Sequence, residues 1–285
     1  MFQKILGCVL LSIGLIYAAV LVRSIIKDKD GTRQAKGKFQ FLAPLEFIVF
    51  VIASLGVSDY LLNTLATSHF RLTRDEELPG TLICSGVVPG SIFAFSMLRA
   101  DNPVDMVTLA FCSAGVIAGT FIGSGIVQRM DGKLIKKIIC AALVVSLVFV
   151  VIKIIVSAGA TGTAVGVRGV KLALAAFLCL LTGIVNRFGI PMKPTWTAIF
   201  LLLGISPMAT LTMILIIGSL TPISGGISVV KSGLYQKKIV LAALSFGSLG
   251  AIAGTALAIS IPARVLNVVL IAVMVIAIVS MVRSK

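Results

Sequence analysis

Two short stretches put charge and amide groups inside otherwise apolar runs of this chain. In Leu181–Pro194 (LTGIVNRFGIPMKP), Asn186, Arg187 and Lys193 interrupt an apolar run that starts near Lys171 and resumes at Thr195. In Ser54–Thr67 (SLGVSDYLLNTLAT), Asp59 stands among Ser58, Asn63, Thr64 and Thr67. A guanidinium and an ammonium beside an amide can bind a small anion through charge and hydrogen bonds. Asp59 is the group that could carry a coupling proton. A structural alternative stands beside the anion reading: Arg187 pairs with Asp59 or Glu46, or reaches an interface. Asp59 and Asn186 hold similar places, a few residues after Gly56 and Gly183, and Gly189, Pro191 and Pro194 complete the second break. Glycine and proline breaks at such depth point to discontinuous helices lining a transport site.

The surroundings of these residues are a membrane chain. The sequence is 58% hydrophobic and only 12% charged, with a mean hydropathy of +1.13. Soluble domains carry about 25% charged residues. The longest hydrophilic stretch, about 27–40, is too short for a soluble domain, and no G-x-x-x-x-G-K-[ST] loop supplies an ATP motor. Five scattered cysteines and one histidine, His69, offer no metal spacing, and paired acids or nucleophile motifs are missing. The expectation is a non-enzyme without cofactors. The net charge of +15 sits mostly in short loops and does not signal nucleic acid. All ten acidic residues lie at or before Asp131, so Arg187 and Lys193 have no carboxylate in their own half of the chain.

Apolar runs of membrane-spanning length fall at about 4–24, 40–57, 78–98, 104–127, 134–156, 171–185, 207–230, 238–259 and 262–282. Two shorter pieces, 60–70 and 195–204, follow the polar breaks. If each is the return arm of a helical hairpin, loops 23–39, 71–77, 128–137, 231–238 and 283–285 share one side and hold 17 Lys/Arg, against 5 opposite. That bias places residues 23–39 in the cytoplasm. Gly115–Thr120 (GVIAGT) and Gly250–Thr255 (GAIAGT) repeat at equivalent places. Each unit holds a hairpin and three spans, an odd number of crossings, so the second unit is inverted.

The predicted fold is therefore an all-α polytopic membrane protein. It has an N-terminal transmembrane helix (1–26), a basic cytoplasmic loop (27–39), repeat 1 (40–157), a linker (158–170) and repeat 2 (171–285). Glycines at 115, 119, 123, 250 and 254 are read as helix-packing positions. After each hairpin a helix starts with small polar residues: Gly80-Thr81 in the first unit, Ser206-Pro207 and Thr210 in the second. Their hydroxyls and amides suit oxyanions, and capping explains them equally well. His69 is expected at an interface.

The layout resembles the sulfite exporter TauE/SafE family over residues 40–283. The resemblance rests on the breaks at Gly56 and Gly183–Gly189, the helix starts Gly80-Thr81 and Ala209-Thr210, the short basic turns after residues 98 and 230, the G-x-I-A-G-T segments and the turn Ile261–Leu266. Gly56-Val57-Ser58-Asp59 departs from the family's glycine run, and helix 4–24 is an addition. The resemblance implies a bacterial inner-membrane, multi-pass secondary transporter of sulfur oxyanions, sulfonates or carboxylates. The expected binding residues are Asn186, Arg187, Gly183, Gly189, Lys193, Thr210, Thr81, Gly56, Ser58 and Asn63, with Asp59 for proton coupling. The expected partners are the small anion and the lipid bilayer, with a second copy of the chain as a further candidate. A passive anion channel and a non-transporting membrane scaffold are the alternatives.

Overall fold

The computed structural model describes residues 2–28, 31–32, 35–74, 76–100, 102, 104–127, 162–187, 190 and 192–260. The expected spans 134–156 and 262–282 lie outside these residues, as do Gly189 and Pro191. Every extended element among the described residues is a helix: α1 (Phe2–Lys27), α2 (Phe39–Ser54), α3 (Asp59–His69), α4 (Leu78–Arg99), α5 (Met106–Val127), α6 (Val170–Asn186), α7 (Lys193–Leu202), α8 (Pro207–Ser232) and α9 (Lys237–Ser260). Five of them, α1, α4, α5, α8 and α9, hold apolar stretches long enough to cross a membrane, and α2 and α6 are shorter apolar helices. Large apolar side chains such as Ile16, Phe111, Phe121, Phe177 and Ile252 face outward. That outer surface suits lipid, because helices satisfy their backbone groups internally.

The breaks have local causes. α2 stops because Gly56 adopts a left-handed φ of 89°, with its N–H donating to the Ala53 carbonyl at 3.2 Å. Glycine takes this conformation without β-carbon strain. α6 stops at Asn186, whose Nδ2 donates to the Ile190 carbonyl at 3.2 Å and braces the turn. α7 restarts with Pro194 in its first turn, where a missing N–H costs nothing.

Both short helices fold back. Asn63 of α3 contacts Glu46 of α2, and Leu72 just beyond α3 packs with Leu42 near the start of α2. Residues 203–206, just after α7, meet the segment before α6: the Ser206 N–H donates to the Ala164 carbonyl at 2.8 Å, and Ala164 and Ile205 form a bridge. Each of these hairpins returns the chain to the end it came from.

The loops accordingly collect at two ends. At the basic end, Gln236 Nε2 donates to the Lys36 carbonyl at 2.7 Å, Lys238 Nζ to the Ala35 carbonyl at 2.6 Å, and Lys237 pairs with Asp28. At the opposite end Asp105 caps α5 through Thr108 and pairs with Arg168 at 2.5 Å. The Arg168 guanidinium holds the Asp105 carboxyl well below the usual carboxylate range. Exposed His69 stands edge-on to Phe70, as an interfacial histidine would.

The glycines of the repeated motifs let backbones touch, as expected. A β-carbon at Gly115 would stand 2.5 Å from the Ala176 carbonyl oxygen, and one at Gly123 would stand 2.6 Å from that of Ile184. A β-carbon at Gly119 would run into the Leu180 carbonyl. So α5 packs on α6. In α9, Gly250 and Gly254 do the same against Phe47, Val51 and Ser54 of α2. The helix bearing each motif thus packs on the first arm of the other unit's hairpin. Between them α4 and α8 cross where Gly90 meets Ser219, and α4 is almost wholly buried.

Two outcomes follow from this packing. Gly119→Leu should destabilise the detergent-purified protein by about 1–3 kcal/mol through overpacking. Gly125→Ala should be neutral, because a β-carbon there meets nothing within 4 Å; thermal melting distinguishes the two. In a chain whose five native cysteines are replaced by alanine, Lys36→Cys and Lys171→Cys should react with impermeant maleimide from opposite faces of the membrane. Labelling of both from one face would contradict the two-ended loop arrangement.

Candidate functional site

The two hairpin tips meet inside the protein. Asp59 opens α3 and Lys193 opens α7, and the Lys193 ammonium lies 2.7 Å from Asp59 Oδ1 with both side chains largely buried. The counterpart of Asp59 is therefore Lys193, not Asn186 as the glycine spacing suggested. What the two share is the first position of a return helix. A carboxylate is favourable at a helix N-terminus and an ammonium is not. Lys193 is held there by the Asp59 charge and by the Phe93 ring, whose centroid is 5.3 Å from its Nζ.

Two glycines give the pair its space. A β-carbon at Gly86 of α4 would stand 3.3 Å from Asp59 Oδ2, and one at Gly218 of α8 would stand 3.4 Å from Lys193 Cε. Ser58 caps the start of α3, accepting from the Leu61 N–H at 3.5 Å. Trp196 Nε1 donates to Thr182 Oγ1 at 2.7 Å and ties α7 to α6.

Arg187, next in sequence to Asn186, joins neither acid. Its Nη2 donates to the Thr221 carbonyl at 2.7 Å and to Ser224 Oγ at 3.1 Å, and its Nε is buried without a partner. The two acids proposed for it are engaged elsewhere: Asp59 with Lys193, and Glu46 with Asn63 Nδ2 at 3.4 Å. Pro222 explains part of the local chemistry. It cannot donate to the Gly218 carbonyl, and Thr221 Oγ1 does so instead at 3.0 Å. The network reaches the first repeated motif through Thr120 Oγ1, 2.8 Å from Ser224 Oγ. Gly123 makes room for the arginine stem, since a β-carbon there would lie 3.1 Å from Arg187 Cγ.

A cavity of about 20 Å3 lies between the tips, lined by residues that include Ser58, Asp59, Tyr60, Asn186, Lys193 and Thr221. One water needs about 10–15 Å3, so the space between the described tip residues is about that of one water and too small for an oxyanion.

Of the expected site residues, Asn186, Arg187, Lys193, Ser58 and Asp59 gather at the tips. Gly56 makes the first break. Gly183 faces the Val116 backbone, where a β-carbon would stand 2.5 Å from its carbonyl oxygen, and serves the α5–α6 contact. Thr81 lies about 7 Å along α4 from Gly86, at 1.5 Å rise per residue. Its hydroxyl accepts from the Gln236 N–H at 2.8 Å and donates to the Glu77 carbonyl, so it anchors a loop at the basic end. Thr210 Oγ1 is buried without a partner, and Ser206 caps its helix. Asn63 faces Glu46, one turn beyond Asp59. Gly189 lies outside the described residues. Tyr60, which lines the cavity, was not singled out from the sequence. Its signal was its position next to Asp59.

Comparison with known proteins follows the same outline. The sulfite exporter TauE/SafE family model matches residues 70–281, leaving α1, α2 and α3 outside the match. No curated protein and no solved structure matches the chain. The matched region includes Arg187, Lys193 and both repeated motifs, and it spans well over half of the sequence. A match of that extent on a chain of apolar membrane-length helices makes this protein a member of the sulfite exporter TauE/SafE family.

Proposed function

We propose that the protein is a secondary transporter that moves a small oxyanion, a sulfur oxyanion or an organic sulfonate or carboxylate, by alternating access in a bacterial inner membrane. The observation that carries this reading is Arg187. It is buried, it is bonded to Thr221, which lines the space between the tips, and among the described residues its hydrogen bonds go to a carbonyl and a hydroxyl rather than to a carboxylate. A buried guanidinium without a counter-ion is costly, and an anion entering the tips supplies one. Asn186, Ser58 and Tyr60 line the same space. Gly183, Gly56 and Asn63 act behind it, as packing, break and neighbour of Glu46.

The substrate cannot fit while the tips are closed. It enters when the hairpins part, takes Lys193 and Arg187, and leaves Asp59 without its cation. The reciprocal packing of α5 on α6 and α9 on α2 supports two inverted repeats, each carrying the other's first arm. Such halves can rock against one another about the central α4–α8 crossing. The basic loop end faces the cytoplasm in this reading. A passive channel is the alternative, and flux that cannot be driven uphill would favour it.

Two measurements test it. In proteoliposomes assayed with radiolabelled sulfite, thiosulfate and a sulfonate, Arg187→Ala should cut flux by about 10- to 100-fold, the equivalent of about 1.5–3 kcal/mol of charge-assisted hydrogen bonding. Wild-type flux in a correctly folded variant would sink the assignment. Separately, Asp59→Asn should cost about 3–5 kcal/mol of stability by stranding a buried ammonium. Asp59→Asn combined with Lys193→Met should recover most of that loss, read as a melting temperature.

A further inference from the structure

Glu46 lies midway along α2 with no exposed surface. Its one hydrogen-bond partner is Asn63, 2% exposed, whose Nδ2 donates to Oε2 at 3.4 Å. The other carboxyl oxygen, Oε1, and the amide oxygen, Asn63 Oδ1, are both buried without a partner. A carboxylate has only acceptors to offer, whereas a carboxylic acid has one O–H donor. One proton on Oε1 supplies the donor that Asn63 Oδ1 lacks, and acid and amide then complete each other. Without the proton, two buried acceptors stay unmet and a negative charge stands inside a membrane helix with no cation beside it among the described residues.

The surroundings agree. The charged group within electrostatic range of Glu46 is Asp59, which has the same sign. Segment Ser248–Ser260 of α9, packed on α2, has no ionisable residue. In the earlier part of α9 the ionisable groups are Lys237, paired with Asp28, and Lys238, bonded to the Ala35 carbonyl at the basic end. On α3, His69 is exposed at the far end, and on α4 Cys84 is buried with Tyr17 while Arg99 stacks on Phe95.

We propose that Glu46, paired with Asn63, is a proton-binding site that couples anion movement to a proton gradient. This rests on the transport reading above and moves the coupling proton from Asp59, which is engaged with Lys193, to the acid behind it. The link is electrostatic. Any event at the tips that separates Lys193 from Asp59 changes the field at Glu46 and so its hold on the proton.

Glu46→Gln tests it, because the amide reproduces the protonated pair permanently. The melting midpoint of the purified wild-type chain should fall as pH rises from the ordinary carboxylate range through neutral and then level off, because only the folded state keeps the proton there, and the Glu46→Gln curve should lack that fall. A Glu46→Gln curve with the wild-type pH dependence overturns the proton site. In proteoliposomes with labelled sulfite, a gradient of about one pH unit should drive about tenfold accumulation for one proton per turnover, since one unit is 1.36 kcal/mol. Glu46→Gln should show none, and accumulation by that variant overturns the coupling role. If the wild-type chain moves no sulfite, thiosulfate or sulfonate, the transport reading and the coupling fall together, while the melting curves still judge the proton site.

Discussion

The structure turns on one buried ion pair, Asp59 with Lys193, which holds two hairpin tips against each other. A pair so placed has lost most of its hydration, and it persists because its geometry is close and its neighbours yield space. Gly86 and Gly218 yield that space from two different helices, and Phe93 closes the ammonium from one side. Among the described residues, Arg187 is left as a buried charge bonded to no carboxylate.

The breaks and the close-packing glycines were legible in the sequence because they are local. Gly56 must take a left-handed turn, Pro194 fits only the first turn of a helix, and Gly115, Gly119, Gly250 and Gly254 carry their spacing in plain view. The pairings were not legible. Asp59 and Lys193 are far apart in the chain, and nothing along it says which cation meets which acid. Glycine spacing aligned Asp59 with Asn186, whereas the helix starts align it with Lys193. Thr81 shows a similar ambiguity. A hydroxyl near a helix start suits an oxyanion or a neighbouring loop, and only the fold brings the Gln236 amide to it. Glu46 was visible as an acid in an apolar run, but its match with Asn63 depends on the fold-back of α3.

The family match starts at residue 70, so Asp59, Glu46 and Asn63 all belong to the part of the chain outside it, while Arg187 and Lys193 lie within. The tip-to-tip pair therefore joins a residue inside the matched region to one that precedes it.

The reciprocal packing has a consequence for how the chain is made. α2 leaves the ribosome early, but the backbone surface that receives it, Gly250 and Gly254, is synthesised near the end. α5 likewise waits for α6. Neither half can bury its close-contact face alone, so membrane insertion and final assembly are separate events. In the interval the early hairpin holds Asp59 with no Lys193 to meet it. Until the second half arrives that acid is neutral or hydrated, since an unpaired carboxylate is costly in the membrane.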